Sequence, residues 1–271
     1  MSYSNPAAYD RFMGRWSTRL AAPFLRFAGL RHGQRMLDVG SGTGVLARAA
    51  ISFASSTMVT GIDPEAGYVA FAREAVAGAH FQVAAAEALP FANSSFDMAL
   101  ALLVLQDFAD PATATQEMAR VTRPGGTVAA CLWDFEHGLP MLSLAWQAAE
   151  IAAPEAVARR RESTRPARPA LAEIAELWRS SGLSDVTTTT LELPMHFSSF
   201  EDYWEPFLGG ATPMSAFMSA LNAETGGRLA AALRQRIGNV EPDGSFVLAA
   251  RAWAVKGMRG AGARDNDAAL L

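Results

Sequence analysis

The sequence predicts an α/β protein built on a doubly wound, mainly parallel sheet. Three observations carry this expectation. Short apolar runs alternate with helix-patterned segments through the first half of the 271 residues. Those runs carry apolar residues on both faces, as strands covered on both sides require. The first of them breaks into a glycine-rich loop directly before a helical segment, the grammar of a strand–loop–helix unit.

The elements follow in order. Ser17–Gly29 reads as a helix: Ser17 can cap it, Leu20, Phe24 and Phe27 recur at helical spacing, and Gly29 stops it. Met36–Val39 is a short buried strand entering Gly40-Ser41-Gly42-Thr43-Gly44, and Val45–Ala54 is an alanine-rich helix. Thr57–Ile62 reads as a strand, Glu65–Ala77 as a helix, and Ala79–Ala84 as a strand before a loop containing Pro90. Phe96–Leu103 is a continuous apolar strand, Ala112–Thr122 a helix, and Pro124-Gly125-Gly126 a turn into the strand Thr127–Trp133.

After Trp133 the alternation breaks. Leu139–Ala153 reads as a helix, Arg159–Pro169 as an arginine- and proline-rich connector, and Ala170–Ser181 as a helix. Asp185–Leu193 is threonine-rich and β-prone. Ser199–Leu208 and Ser215–Ile237 read as helices, and Ser245–Val255 as a last strand. One domain over 1–257 is expected, with its core at 30–133, 170–193 and 245–256. Helical cap insertions are expected at 134–169 and 195–240, and a disordered tail at 258–271.

Composition narrows the function. The net charge is −4, from 23 basic and 27 acidic residues, without the basic excess of a nucleic-acid binder. A single cysteine, Cys131, leaves no intramolecular disulfide framework and no multi-thiolate metal site, so no metal is expected. The longest apolar run, Met98–Leu105, is short of the ~18–20 residues of a membrane span. No basic-then-apolar leader pattern opens the chain, so a cytoplasmic protein is expected. Lys256 is the only lysine, which leaves lysine-dependent chemistry one candidate.

The informative stretch is Leu37-Asp38-Val39-Gly40-Ser41-Gly42-Thr43-Gly44. Glycines between strand and helix let a ligand approach the backbone and point amides at it. A second acid, Asp63, ends the next strand, 19 positions after Gly44, where a carboxylate can accept both hydroxyls of a ribose. Val45 stands where a dinucleotide fingerprint has its third glycine.

These residues resemble the class I S-adenosylmethionine-dependent methyltransferases, most closely the type 11 branch that includes quinone-biosynthesis methyltransferases. The resemblance covers most of residues 1–133. Leu37–Gly44 is similar to the family's first motif, and Gly61-Ile62-Asp63-Pro64 to its acidic second-strand motif. Ala86-Glu87-Ala88-Leu89-Pro90-Phe91, followed by Ser95-Phe96-Asp97, resembles its adenine loop, and Arg120–Gly126 its turn before the fifth strand. Tyr9–Trp16 is similar to a segment of bacterial members.

The resemblance implies a Rossmann-like, seven-stranded, mostly parallel sheet with an antiparallel last strand. It implies S-adenosylmethionine as cofactor and S-adenosylhomocysteine as product. Asp38 with Gly40, Ser41 and Gly42 would hold the methionine part, Asp63 the ribose, Pro64 the adenine face, and Ala86 with Glu87 the adenine edge. The backbone near Leu102 would accept from the ammonium, and Tyr9 or Arg15 would meet the carboxylate. Members often carry an acid at the position of Ala85, so the adenine amino group is left to backbone partners. Each residue also has a structural reading: Asp38 and Asp63 as turn formers, Glu87 as a solvated loop acid, Arg11 and Trp16 as anchors of the N-terminal segment.

Methyl transfer from a sulfonium is an in-line displacement, aided by alignment and exclusion of water. A base is needed only when the nucleophile must lose a proton. Candidates lie after strands four and five, at the sheet edge where ligands bind: His137, favoured because imidazole is the usual proton-transfer group of enzymes, Asp107, Asp134 and Glu136, with Gln106 to orient a substrate. His32 and His80 read as surface residues, while His196 is placed to line a pocket. The aromatic residues of the insertions are expected to form a cap core and to present a small, partly apolar acceptor surface. Arg159–Arg161 reads as a solvated connector or as a grip for an acid or phosphate.

The expected partner is a small molecule, with neither nucleic acid nor membrane, and the oligomeric state is not encoded legibly. Two other functions share the pattern: a nicotinamide-dependent oxidoreductase and a non-catalytic cofactor-binding regulatory domain. Where base-amine methyltransferases carry an Asn-Pro-Pro-Tyr-type loop, this chain reads Val104-Leu105-Gln106-Asp107.

Overall fold

In the computed structural model, which describes residues 6–161, 169–209 and 213–260, seven strands form one sheet in the order β3-β2-β1-β4-β5-β7-β6. They are β1 (Arg35–Val39), β2 (Met58–Asp63), β3 (Ala79–Val83), β4 (Phe96–Leu102), β5 (Thr122–Trp133), β6 (Leu183–Phe197) and β7 (Phe246–Arg259). The first five pair in parallel, with Asp38 opposite Gly61 on one side and Leu100 on the other. β7 runs antiparallel to β5: Arg259 donates to the Thr122 carbonyl at the start of β5. The Asp134 N–H, just past the end of β5, donates to the Arg251 carbonyl. The sheet is therefore mostly parallel with antiparallel strands at one end.

The chain leaves β1 for β2 and β3 on one side and returns to β4 on the other. Loops after β1 and β4 thus diverge from one crevice at the carboxyl edge, the place where open α/β sheets bind ligands. Right-handed crossovers put α3 (Val45–Phe53) and α4 (Ala66–Ala75) on one face and α5 (Pro111–Val121) on the other. α5 starts where it does because the Asp110 carboxylate accepts the N–H groups of Ala112 and Thr113, with Pro111 in the first turn. α8 (Leu171–Ser180) docks through Trp178, whose indole N–H donates to the Val128 carbonyl at 3.1 Å.

The chain divides into two compact units. The sheet unit comprises the described residues of Ala21–Leu132, Pro169–Thr189 and Ala254–Leu271. The aromatic unit comprises those of Met1–Leu20, Trp133–Arg168 and Thr190–Trp253. The second contains α1 (Pro6–Tyr9), a π-helical turn at Asp10–Gly14, α6 (Pro140–Ala152), α7 (Pro154–Arg161), α9 (Phe200–Leu208), α10 (Pro213–Ser219) and α11 (Ala223–Arg236). α2 (Arg15–Ala28) begins in the aromatic unit and ends in the sheet unit.

The aromatic unit is held by ring packing. Phe12 meets Phe207 edge-on at 5.0 Å, Phe197 stacks on Phe246 at 5.1 Å, and Tyr203 packs against both Phe197 and Phe207. The Tyr203 hydroxyl donates to the Met141 carbonyl at 2.8 Å, satisfying the one polar atom this burial would strand. Of the aromatic residues in the expected insertions, Phe197, Phe200, Tyr203, Phe207 and Phe217 are buried in this unit, while Trp146 and Trp204 are half-buried.

Several boundaries differ from the sequence reading. Ser215–Ile237 is two helices, because the Asn222 side chain accepts the Thr225 N–H and caps a new one. β6 continues to Phe197, past residue 195, since Leu193, Met195 and Phe197 keep the strand's period of two, alternately buried. β5 begins at Thr122 and contains the Pro124-Gly125-Gly126 segment, and α7 occupies the start of the expected connector. β7 extends to Arg259, so Met258 and Arg259 belong to the sheet rather than to a tail. The guanidinium of Arg259 reaches the Ser94 hydroxyl and the Arg120 carbonyl as well as Thr122. The rest of the expected tail, 261–271, and residues 162–168 of the connector lie outside the described residues.

Candidate functional site

The site is built on the β1–α3 loop of the sheet unit. Gly40, Gly42 and Gly44 all have left-handed backbone, with φ of +71°, +51° and +79°, which residues with a Cβ rarely adopt. A Cβ on Gly40 would also stand 2.6 Å from the Val104 side chain. The glycine loop therefore rests directly on the turn that follows β4. The Ser41 N–H donates to the Ile62 carbonyl at 2.8 Å, tying the loop to the end of β2.

Asp63, last residue of β2, accepts the Gly42 N–H on one carboxylate oxygen and the Glu65 N–H on the other, each at 3.0 Å. Burial pushes its carboxyl above the ordinary range, and the two N–H groups pull it back. It acts as the turn former of its structural reading. Each carboxylate oxygen still has acceptor capacity left.

Asp38 is the anomaly. It is 1% exposed, and burial drives its carboxyl up to about 7, against the Ala47 N–H and with the Asp63 charge. Its Oδ2 has no hydrogen-bond partner among the described residues, and neither does the Ser41 hydroxyl. An unpaired buried acceptor costs about 1–3 kcal/mol, so two of them, at the end of β1 and in the loop it enters, mark a place completed by something else. A cationic amino-acid end with an adjoining ribose fits that set: acceptors at Asp38 and Asp63, amides in the glycine loop.

The other expected cofactor residues of this unit are distributed around the same edge. Pro64 is exposed beside Asp63, Ala86 is buried after β3, and Leu102 ends β4 half-buried. Glu87 has a structural role. Its carboxylate accepts the N–H groups of Ala109 (2.8 Å) and Asp110 (3.2 Å), fastening the loop after β3 to the start of α5. Leu103 turns left-handed (φ +61°) and leads into a 3₁₀ turn at Leu105–Asp107. There Asp107 is exposed and accepts from Gln106.

Tyr9, Arg15 and His137 belong to the aromatic unit. Tyr9 ends α1, half-buried. Arg15 has its own carboxylate: it pairs with Asp202 at 2.7 Å and stacks on Trp16 and Phe197. The Ser198 N–H and then the Arg15 guanidinium hold the Asp202 carboxyl below its ordinary range despite burial. The His137 ring is 66% exposed and 3.9 Å from the Glu136 carboxylate. Asp134 is wholly buried and committed, its Oδ2 on the Arg251 guanidinium at 2.6 Å and its Oδ1 on the N–H groups of Glu136 and His137. It orders a turn rather than serving as a free base. His196 lines a cavity of about 500 Å³ with Phe197, Ser198, Asp202 and Glu241. Among the described residues, no group of three or more His, Cys, Asp or Glu side chains is arranged for a metal.

Two contributors were missed in the sequence. Val104 had no visible signal, since its role exists only through contact with Gly40. Asp202 lies 187 positions from the arginine it holds, beyond any local pattern.

Residues 37–130 match the family model described as a methyltransferase domain. A malonyl-acyl-carrier-protein O-methyltransferase from Erwinia billingiae is 33% identical over 153 residues, 56% of this chain and 57% of its own. A ubiquinone/menaquinone biosynthesis C-methyltransferase from Geobacter sulfurreducens is 35% identical over 101 residues, 35% of this chain and 40% of its own. The chain thus spans less than two thirds of the curated relatives it matches. The structure of a Haemonchus contortus phosphoethanolamine N-methyltransferase in complex with S-adenosylmethionine is similar at a TM-score of 0.58 and 20% identity, covering 95% of this chain and 57% of that one. The sheet order, the left-handed glycine loop and the acid at the end of β2 agree with that match to a methyltransferase domain over residues 37–130.

Proposed function

We propose that the chain binds S-adenosylmethionine at the β1–β4 crevice and delivers its methyl group to a small, partly apolar acceptor by in-line displacement. The observation that carries this reading is the buried, unpaired Asp38 carboxylate oxygen beneath the glycine loop. Such an acceptor is stabilised by a cation, and the ligand brings one. Bound there, S-adenosylmethionine supplies an electrophilic methyl on a sulfonium.

The protein's own part is positioning. Asp38 and the loop amides hold the amino-acid end. Asp63, already fixed by Gly42 and Glu65, presents its remaining acceptor capacity to the ribose. Pro64 and the loop at Ala86–Glu87 flank the adenine. No general base is assigned: Asp134 is held by Arg251, and a sulfonium donor does not require one unless the acceptor carries a proton.

Small size of the acceptor group is supported by the names of the relatives, one for a malonyl group on acyl-carrier protein and one for phosphoethanolamine. The net charge of −4 argues against a nucleic-acid partner. No helix among the described residues is long and apolar enough to cross a membrane, and we place the protein in the cytoplasm. Titration calorimetry with S-adenosylmethionine and S-adenosylhomocysteine tests the reading, with reduced nicotinamide dinucleotide as the control. Binding of the two sulfur nucleosides alone is the expected result; folded protein that ignores both would sink it.

A further inference from the structure

Gln106 carries a further unsatisfied atom at this edge, after Asp38 and Ser41. Its Nε2 donates to the Leu103 carbonyl at 2.7 Å and to the Asp107 carboxylate at 2.8 Å. Both partners accept only, so they fix which end of the amide is nitrogen. The other end, Oε1, is then oxygen by necessity, and it is buried without a hydrogen-bond partner. The amide is pinned on its donor side and left open on its acceptor side.

The turn that holds it is the one on which the glycine loop rests, through Val104 and Gly40. Asp38, in β1 two residues before Gly40, contributes a buried, unpaired Oδ2. The end of β1 and the turn against which its glycine loop rests therefore each present a buried acceptor lacking a donor, and the Asp107 carboxylate adds negative charge on the Gln106 side. The complementary group is a cation with several N–H donors. An ammonium answers to that description; a hydroxyl has one donor and no charge.

We propose that Gln106 is a ligand-binding residue whose side-chain oxygen accepts from the α-ammonium of the cofactor's amino-acid end, with the Leu103 carbonyl and Asp107 holding the amide in that orientation. This rests on the S-adenosylmethionine reading above. It gives the chain a side-chain contact to the ammonium beyond the backbone acceptor expected near Leu102.

The test compares two probes on two proteins by calorimetry. S-Adenosylhomocysteine carries the ammonium; 5′-methylthioadenosine has the same nucleoside and sulfur without the amino-acid end. Gln106→Met keeps the length and removes both polar ends. The expected result is a loss of about tenfold or more in affinity for S-adenosylhomocysteine, as for a hydrogen bond to a charged group. Affinity for 5′-methylthioadenosine should change by less than about twofold, within the ordinary effect of a distant substitution. Equal losses on both probes would mean that Gln106 only supports the turn, and equal affinities would mean that it touches nothing; either overturns the assignment. Wild-type protein that binds neither probe overturns the cofactor reading and the assignment together, whereas wild-type binding with an indifferent variant overturns the assignment alone. Gln106→Leu, a second apolar replacement, covers the case in which the methionine variant does not fold.

Discussion

Asp38 and Asp134 are two aspartates in the same circumstance with opposite fates. Each lies at the carboxyl end of a parallel strand, Asp38 in β1 and Asp134 just past β5, and each is buried, at 1% and 0% exposure. Asp134 receives a guanidinium and two backbone N–H groups, which hold it below its ordinary range although burial alone would raise it. Asp38 receives one N–H, from Ala47, and rises to about 7. Burial is common to both and so does not decide the outcome; the partners do. The aromatic unit pairs charges internally in Asp134–Arg251, Arg15–Asp202 and Arg234–Glu201, with the Arg15 Nε and the Trp16 indole N–H left as buried donors, and the sheet unit pairs Arg120–Glu117 and Arg123–Asp97. The sheet unit leaves acceptors open at Asp38, Ser41 and Gln106. A satisfied carboxylate is scaffold, and an unsatisfied one is an invitation to a ligand.

The comparison breaks most visibly through stability. Asp134→Ala strands the Arg251 guanidinium and frees two backbone N–H groups, and should cost about 3 kcal/mol in urea unfolding, discounted for the partial exposure of Arg251. Asp38→Asn should cost less than about 1 kcal/mol, since no ion pair is lost. A larger cost for Asp38→Asn than for Asp134→Ala would refute the contrast.

Ligand affinity should show the reverse order. Asp63→Ala should weaken S-adenosylhomocysteine binding by about 1.5–3 kcal/mol, the range of a hydrogen bond to a charged group. Asp134→Ala, measured where it is folded, should leave that affinity within about twofold, as for a residue remote from the ligand. Unchanged binding by Asp63→Ala would remove Asp63 from the site.

The pH dependence separates the two carboxylates again. The Asp38 pKa is raised from 3.8 to about 7. Its stabilising contribution is therefore complete below the unfolded value and is lost as pH rises through about 7. The Asp134 pKa is lowered, so its contribution is complete above the unfolded value and is lost as pH falls through the folded one. Unfolding free energies across acid and neutral pH should show a neutral-side decline that Asp38→Asn removes and an acid-side decline that it leaves. Calorimetry of S-adenosylhomocysteine binding near neutrality, in buffers of different ionisation enthalpy, should also show proton release that Asp38→Asn abolishes.

The smallest effect is expected at His137. Its ring is exposed, and its N–H donation to Asp134 belongs to the backbone. His137→Ala should change stability by no more than about 0.5 kcal/mol. A shift above that in thermal or urea unfolding would show that the ring is part of the Asp134 cluster.

Much of this was legible in advance. The strands through β5 and the helices between them stand within a few residues of where their patterns put them, β5 excepted at its start, because each is set by local periodicity and turn chemistry. Asp110 and Pro111 announce α5, and Gly40–Gly44 announce the loop. The division of Ser215–Ile237 into two helices was missed because the Asn222 cap is one residue set against a continuous helical pattern. The extension of β6 to Phe197 was missed because Pro194 reads as a break, although the alternation of Leu193, Met195 and Phe197 carries through it.

The sequence by itself determined the alternating strands and helices, the glycine loop after β1, and the acids at the ends of β1 and β2. These follow from neighbours along the chain, where side-chain spacing and backbone preference act directly. Only the tertiary structure decided which polar groups found partners. Arg15 was claimed by an aspartate 187 positions away, and Glu87 by two N–H groups at the start of α5. Asp134 was claimed by Arg251, while Asp38 and Gln106 kept a buried acceptor open. The reason is physical: whether a carboxylate is charged, paired or waiting depends on what packing brings to it across the fold, and the local sequence contains no trace of that meeting.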